Sequence, residues 1–102
     1  MIYKNCTPHT INLNDGRAFE PSGSVARVGQ LYYPTDNPDL YKVGYDGING
    51  LPDPEDGVLL IVSAMVRDAA KHRTDLVSPA TGHKDCVKNE KGHILSVPFF
   101  IQ

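Results

Sequence analysis

Tryptophan is absent, cysteine occurs only twice, and no apolar run is longer than the five residues Val58–Val62. Two cysteines are too few for the disulfide framework of a small secreted domain, so a reducing compartment is expected. Five apolar residues are far too few to cross a bilayer. Where a signal peptide would be apolar, residues 1–12 carry Asn5, Thr7 and His9, so the expectation is a cytoplasmic protein that avoids membranes. The net charge is −2 and the pI near 6.0, without the basic cluster that a phosphate backbone requires. The five tyrosines are not interleaved with Arg or Lys as a base-stacking platform would be. Nucleic acid is therefore not an expected partner. A Walker loop, a G-x-G-x-x-G and a G-x-S-x-G are all missing, and no catalytic residue is assigned.

What is present reads as one globular domain over residues 1–102. Hydrophobic residues make up 40% and charged residues 22%, an ordinary balance for a folded chain. The expected class is α+β, a small mixed and mostly antiparallel sheet with one β-α-β unit and a single main helix. Met1–Tyr3 and His9–Leu13 read as extended, and Asn14-Asp15-Gly16 supplies hairpin-turn chemistry before Arg17–Phe19 returns. Val25–Val28 reads as a short strand. Residues 29–57 hold five glycines and four prolines and are the least readable part. Within them Tyr41, Val43 and Tyr45 alternate with Lys42, Gly44 and Asp46, as in an exposed or edge strand.

Val58–Val62 lacks alternation, which predicts a strand covered on both faces. Ser63 then caps a helix over about residues 63–73, with Met65, Val66, Ala69 and Ala70 on its apolar face. Lys71, His72 and Arg73 sit in its last predicted turn, where cations complement the dipole. Leu76–Ser78 reads as a strand parallel to the first, because 13 intervening residues just allow a crossover. Val87-Lys88 and Ile94–Val97 flank Asn89-Glu90-Lys91-Gly92 as a closing hairpin. The apolar tail Phe99–Ile101 either packs on the domain or meets another subunit.

Three clusters carry candidate chemistry. Cys6-x-x-His9 and His83-x-x-Cys86 together offer two thiolates and two imidazoles, the ligand types zinc prefers, although the interval between them matches no known zinc module. The competing reading makes the cysteines small core residues and His83 a solvated one. The strand-to-helix junction at Ser63 is a potential anion site, since free N–H groups gather at a helix start. Arg67 and Arg73 would neutralise the anion, while Asp75, Ser78, Thr81 and Gly82 lie on the loop leaving the next parallel strand, where ligands gather in open sheets. Here the competing reading is a cap and a structural turn. Asn5, Thr7 and His9 form the third cluster, either a binding corner or a hydrogen-bonded structural one.

The opening Asn5-Cys6-Thr7-Pro8-His9-Thr10-Ile11, Pro21-Ser22-Gly23 with Ala26-Arg27, Ile61-Val62-Ser63, and the stretch Arg73 to Gly82 resemble one family. Its members are small uncharacterised bacteriophage and prophage proteins, with an N-x-T-P-H opening and an R-x-D-L-V-x-P-x-T-G loop. The closing segment, Val87 to Val97, is also similar. Family members typically carry leucine where this chain has Cys6, so a zinc ligand would be missing from relatives. The resemblance implies an accessory protein of a bacterial host cytoplasm that acts by binding and blocking rather than by turnover.

The leading expectation is a non-enzymatic, homo-oligomeric module that binds a small anionic, nucleotide-like ligand without a cofactor. A second is a protein-interaction module that blocks a host bacterial protein through residues 31–45 and the Phe99–Ile101 tail. A third is a small zinc-dependent hydrolase built around Cys6, His9 and His83.

Overall fold

In the computed structural model, which describes residues 1–102, the chain runs β1 (Ile2–Asn5), β2 (Ile11–Asn12), β3 (Ala18–Phe19), β4 (Arg27–Pro34), β5 (Tyr41–Asn49), β6 (Val58–Ile61), α1 (Ala64–Ala69), β7 (Leu76–Pro79), β8 (Val87–Lys88), β9 (Ile94–Ser96) and β10 (Phe100–Ile101). The fold is α+β. A four-stranded mixed sheet has the order β1-β6-β7-β10, and β2-β3, β4-β5 and β8-β9 are separate antiparallel pairs.

The apolar run occupies the position its composition demands. β6 is central, parallel to β1 on one side and to β7 on the other. Leu60, Ile61 and Val62 are almost wholly buried, each contributing about 2 kcal/mol by leaving water. On one face Leu60 and Val62 pack with Cys6, Ala26, Val66, Ala70 and Leu76 beneath the helix. On the other, Tyr3, Phe19 and Phe100 form an aromatic triad with ring centroids 5.2–5.5 Å apart. The tail thus packs on the domain, because β10 pairs with β7 and Phe100 closes the triad.

The expected β-α-β unit is present, β6-α1-β7, but its helix is six residues rather than about ten. Ser63 caps it, Oγ accepting from Val66 N–H at 3.2 Å. The helical backbone is lost at Ala70 (φ −119°, ψ 49°), so Lys71, His72 and Arg73 lie in a following turn. The physical reason is Arg73, whose side chain is held by Asp75 and by the Pro52 carbonyl and draws the chain back toward β7. Met65, placed by periodicity on the apolar face, is 39% exposed, and Val66 and Ala70 carry the packing.

The glycine-rich middle contains the two longest strands. β4 and β5 form a hairpin whose base residues Val28 and Ile48 pack on the core, with a register shift between Val28 and Gln30. Gly50 (φ +79°) follows it, and any Cβ there would collide with the Val25 carbonyl, so only glycine fits. Gly92 takes the left-handed conformation expected of the closing turn (φ +81°).

Candidate functional site

Asn5 ends β1 and is 2% exposed. Its amide Nδ2 donates to the carbonyls of His9 (2.8 Å) and Phe19 (2.9 Å). Its Oδ1 accepts from Thr7 N–H (2.9 Å) and Thr7 Oγ1 (2.7 Å). Ser22 donates to the Asn5 backbone carbonyl through both N–H and Oγ. The side-chain amide and the backbone carbonyl of Asn5 are therefore all engaged within the protein, and the structural reading of this corner is the one the geometry favours. The corner's product is a fixed loop on which His9 is exposed.

The residues expected around Ser63 are not gathered into one site. Ser63 Oγ is spent on its own helix and lines a cleft of about 290 Å³ with Cys6, Thr7 and Arg27. Arg67 Nη1 donates to the buried Ser78 Oγ at 2.6 Å, across the crossover. Arg73 pairs with Asp75 through two contacts, 2.8 and 2.7 Å, with both side chains largely shielded. This pairing holds the Asp75 carboxyl below its ordinary value, the Arg73 hydrogen bonds being the main cause. Arg67 and Arg73 do share a small cleft with Lys71 and Gln102, but Ser63 lies elsewhere and Thr81 and Gly82 line neither. A six-residue helix whose Val66 N–H is already taken by the Ser63 hydroxyl, with neither Arg67 nor Arg73 turned to its start, is a poor anion site.

Nor are the four zinc candidates assembled. Cys6 belongs to the apolar cluster under α1, and His9 is exposed at the outer side of the corner. His83 and Cys86 sit on the loop after β7, where His83 Nδ1 accepts from Asp85 N–H (3.0 Å) and the ring meets Phe99 edge-on. Nowhere do three His, Cys, Asp or Glu side chains converge as a metal requires. Burial pushes the Cys6 thiol up, outweighing the lowering by Ser22 and Lys4, which suits a packed residue. Iodoacetamide is accordingly expected to modify Cys86 in the folded protein and Cys6 only after denaturation. Peptide mass mapping reads this directly, and equal labelling of both would contradict the packing.

The largest cavity, about 660 Å³, lies elsewhere again. One wall is His9, Thr10, Ile11 and Asn12, running from the Asn5 corner into β2. The facing wall is Gly92–Val97, which includes β9, and Pro79 contributes from the carboxyl end of β7. Asn12 Nδ2 donates to the Leu95 carbonyl (3.4 Å), and Val97 N–H to the Asn12 carbonyl (3.0 Å), tying the walls together. The lining holds imidazole, amide and hydroxyl groups beside Ile11, Ile94, Leu95 and Val97, and includes no Asp, Glu, Lys or Arg.

Of the expected ligand-binding residues, only His9 lines this cavity. Thr10, Asn12, His93 and Ser96 were not singled out by sequence, since residues some 80 positions apart leave no local spacing to read. No helix is long and apolar enough to cross a membrane. Compared with known proteins, the chain matches no family model, no curated protein and no solved structure.

Proposed function

We propose that the chain is a phage-type accessory protein of the bacterial cytoplasm that binds a small, anionic, nucleotide-like molecule between His9–Asn12 and Gly92–Val97. The observation that carries this reading is the cavity itself. Its volume of about 660 Å³ falls within the range of small-molecule sites. Its composition, apolar side chains with a few convergent polar ones, is also of that kind. The lining holds no carboxylate, so no fixed negative charge within it repels an anion. Amide and ring N–H groups supply donors, and Ile11, Ile94 and Leu95 suit the faces of a heterocycle.

Binding rather than turnover fits the local chemistry. Ser96 Oγ donates to Asn14 Oδ1, not to an imidazole, so its hydroxyl is not activated as a nucleophile would be. Both cysteines are free, as a reducing compartment would keep them.

The test is a thermal-shift screen with nucleoside mono-, di- and triphosphates on the protein and on Thr10→Trp, which fills the cavity from an exposed position. A ligand at 100-fold over its Kd should stabilise the native protein by about 2.7 kcal/mol. That corresponds to a rise of about 10 °C or more in Tm for a chain of this size, absent from Thr10→Trp although its own unliganded Tm is unchanged. A screen without any shift, or a shift that survives in Thr10→Trp, rejects the assignment.

A further inference from the structure

The β4–β5 hairpin carries more apolar surface than its own fold can cover. In register, Gln30 opposes Tyr45, Tyr32 opposes Val43, and Pro34 opposes Tyr41, so these six side chains share one face. Tyr32 is 61% exposed, Tyr41 58%, Val43 51% and Tyr45 40%. The Tyr32 hydroxyl donates to Gln30 Oε1 (3.0 Å), which confirms the shared face. The opposite face is also open at Leu31 (40%) and Tyr33 (51%), but there the Tyr33 ring lies over Gly44, where a Cβ would meet it, and Lys42 adds a charge beside it. Only the base of the hairpin packs on the core, and the rest projects. The radius of gyration, 15.4 Å, accordingly exceeds the roughly 13 Å of a compact chain of this length.

We infer that this tyrosine face is a self-association surface, on which a second copy of the chain packs across a two-fold axis. Three observations select that occupant. A two-stranded hairpin is marginal alone in water, so eight- and nine-residue strands need a cover that is present whenever the protein is folded. A second copy meets that condition. The six-residue face bears no formal charge, so apposing it with itself brings no like charges together although each chain carries −2. Finally, the exposed parts of its tyrosines and valine, with Gln30 and Pro34, amount to roughly 600 Å² per copy. Two copies then reach the ~1,000 Å² that a specific interface requires.

Light scattering of the full chain after size exclusion, from micromolar to hundreds of micromolar, tests the inference. The expected mass is twice the 11.2 kDa chain. Val43→Lys, which sets two like charges at the two-fold, should yield the monomer, whereas Lys42→Glu on the opposite face should leave the dimer intact. Should Val43→Lys fail to fold, Tyr32→Ser serves instead and should weaken dimerisation about tenfold or more. A wild-type chain that is monomeric throughout this range overturns the inference and leaves the face to a foreign protein. A dimer indifferent to both Val43→Lys and Tyr32→Ser overturns it equally.

Discussion

Asn5→Ala is expected to destabilise the domain by about 3 kcal/mol, a large share of the 5–15 kcal/mol available to a chain of this size. The substitution removes four side-chain hydrogen bonds at a residue that is 2% exposed. It strands the Phe19 carbonyl and the Thr7 N–H and leaves the His9 carbonyl only the Thr7 hydroxyl, in a corner where β1, the β2–β3 hairpin and the Ser22 turn converge. Water can reach part of this corner, since His9 and Pro8 are exposed, which keeps the loss below the full sum of desolvation costs. Urea denaturation midpoints measure the effect. The same variant should lose ligand binding, because Asn5 fixes the loop from which His9 and Thr10 enter the cavity. A loss below 1 kcal/mol would mean that the corner merely decorates the end of β1.

Asp75→Asn is expected to cost about 2 kcal/mol, somewhat less than the 3–5 kcal/mol of a fully buried ion pair broken on one side. The side chains of Arg73 and Asp75 retain 16% and 14% of their exposure, so solvent softens the loss. The pair also ties residues 52 and 73–75 together through the Pro52 carbonyl, so its removal loosens the entry to β7. Its pH dependence has a definite sign. The folded-state pKa of Asp75 is lowered, chiefly by the Arg73 hydrogen bonds. Its contribution is therefore complete above the unfolded carboxylate value, near 4, and is lost as pH falls through the lower folded value. Wild-type stability should decline below about pH 4, and Asp75→Asn should decline less over that window. Asp15 shifts in the same direction, chiefly through the Arg17 backbone N–H, at an exposed position. Because Asp15 is unchanged in both proteins, the difference between their acid profiles isolates Asp75. Parallel acid profiles for the two proteins would contradict this assignment.

Legibility in the sequence followed the range of the interactions. β6, the Ser63 cap, the crossover to β7 and the Gly92 turn each rest on signals within a few residues, and all are present. The pairing of β1 with β6 left no trace, because parallel strands separated by more than fifty residues need no turn between them. The helix ended early because tertiary contacts of Arg73 outweighed its local helical preference. Residues 29–57 were obscure because glycine and proline argue against regular structure, yet in β4–β5 the glycines serve a bulge and a tyrosine cover. For the candidate site the same division holds. Asn5, Thr7 and His9 stood out locally, but the structure uses Asn5 and Thr7 to position His9. The facing wall, with His93 and Ser96, becomes a neighbour only through the Leu13–Val97 bridge and the contacts of Asn12.

Amide chemical-shift mapping of the isotope-labelled protein, titrated with the nucleotide that gives the largest thermal shift, discriminates most sharply between the sites. Perturbations should cluster on residues 9–12 and 92–97 and saturate with a single Kd. Perturbations centred instead on Ser63, Arg67 and Arg73 would contradict the cavity and return the ligand to the crossover.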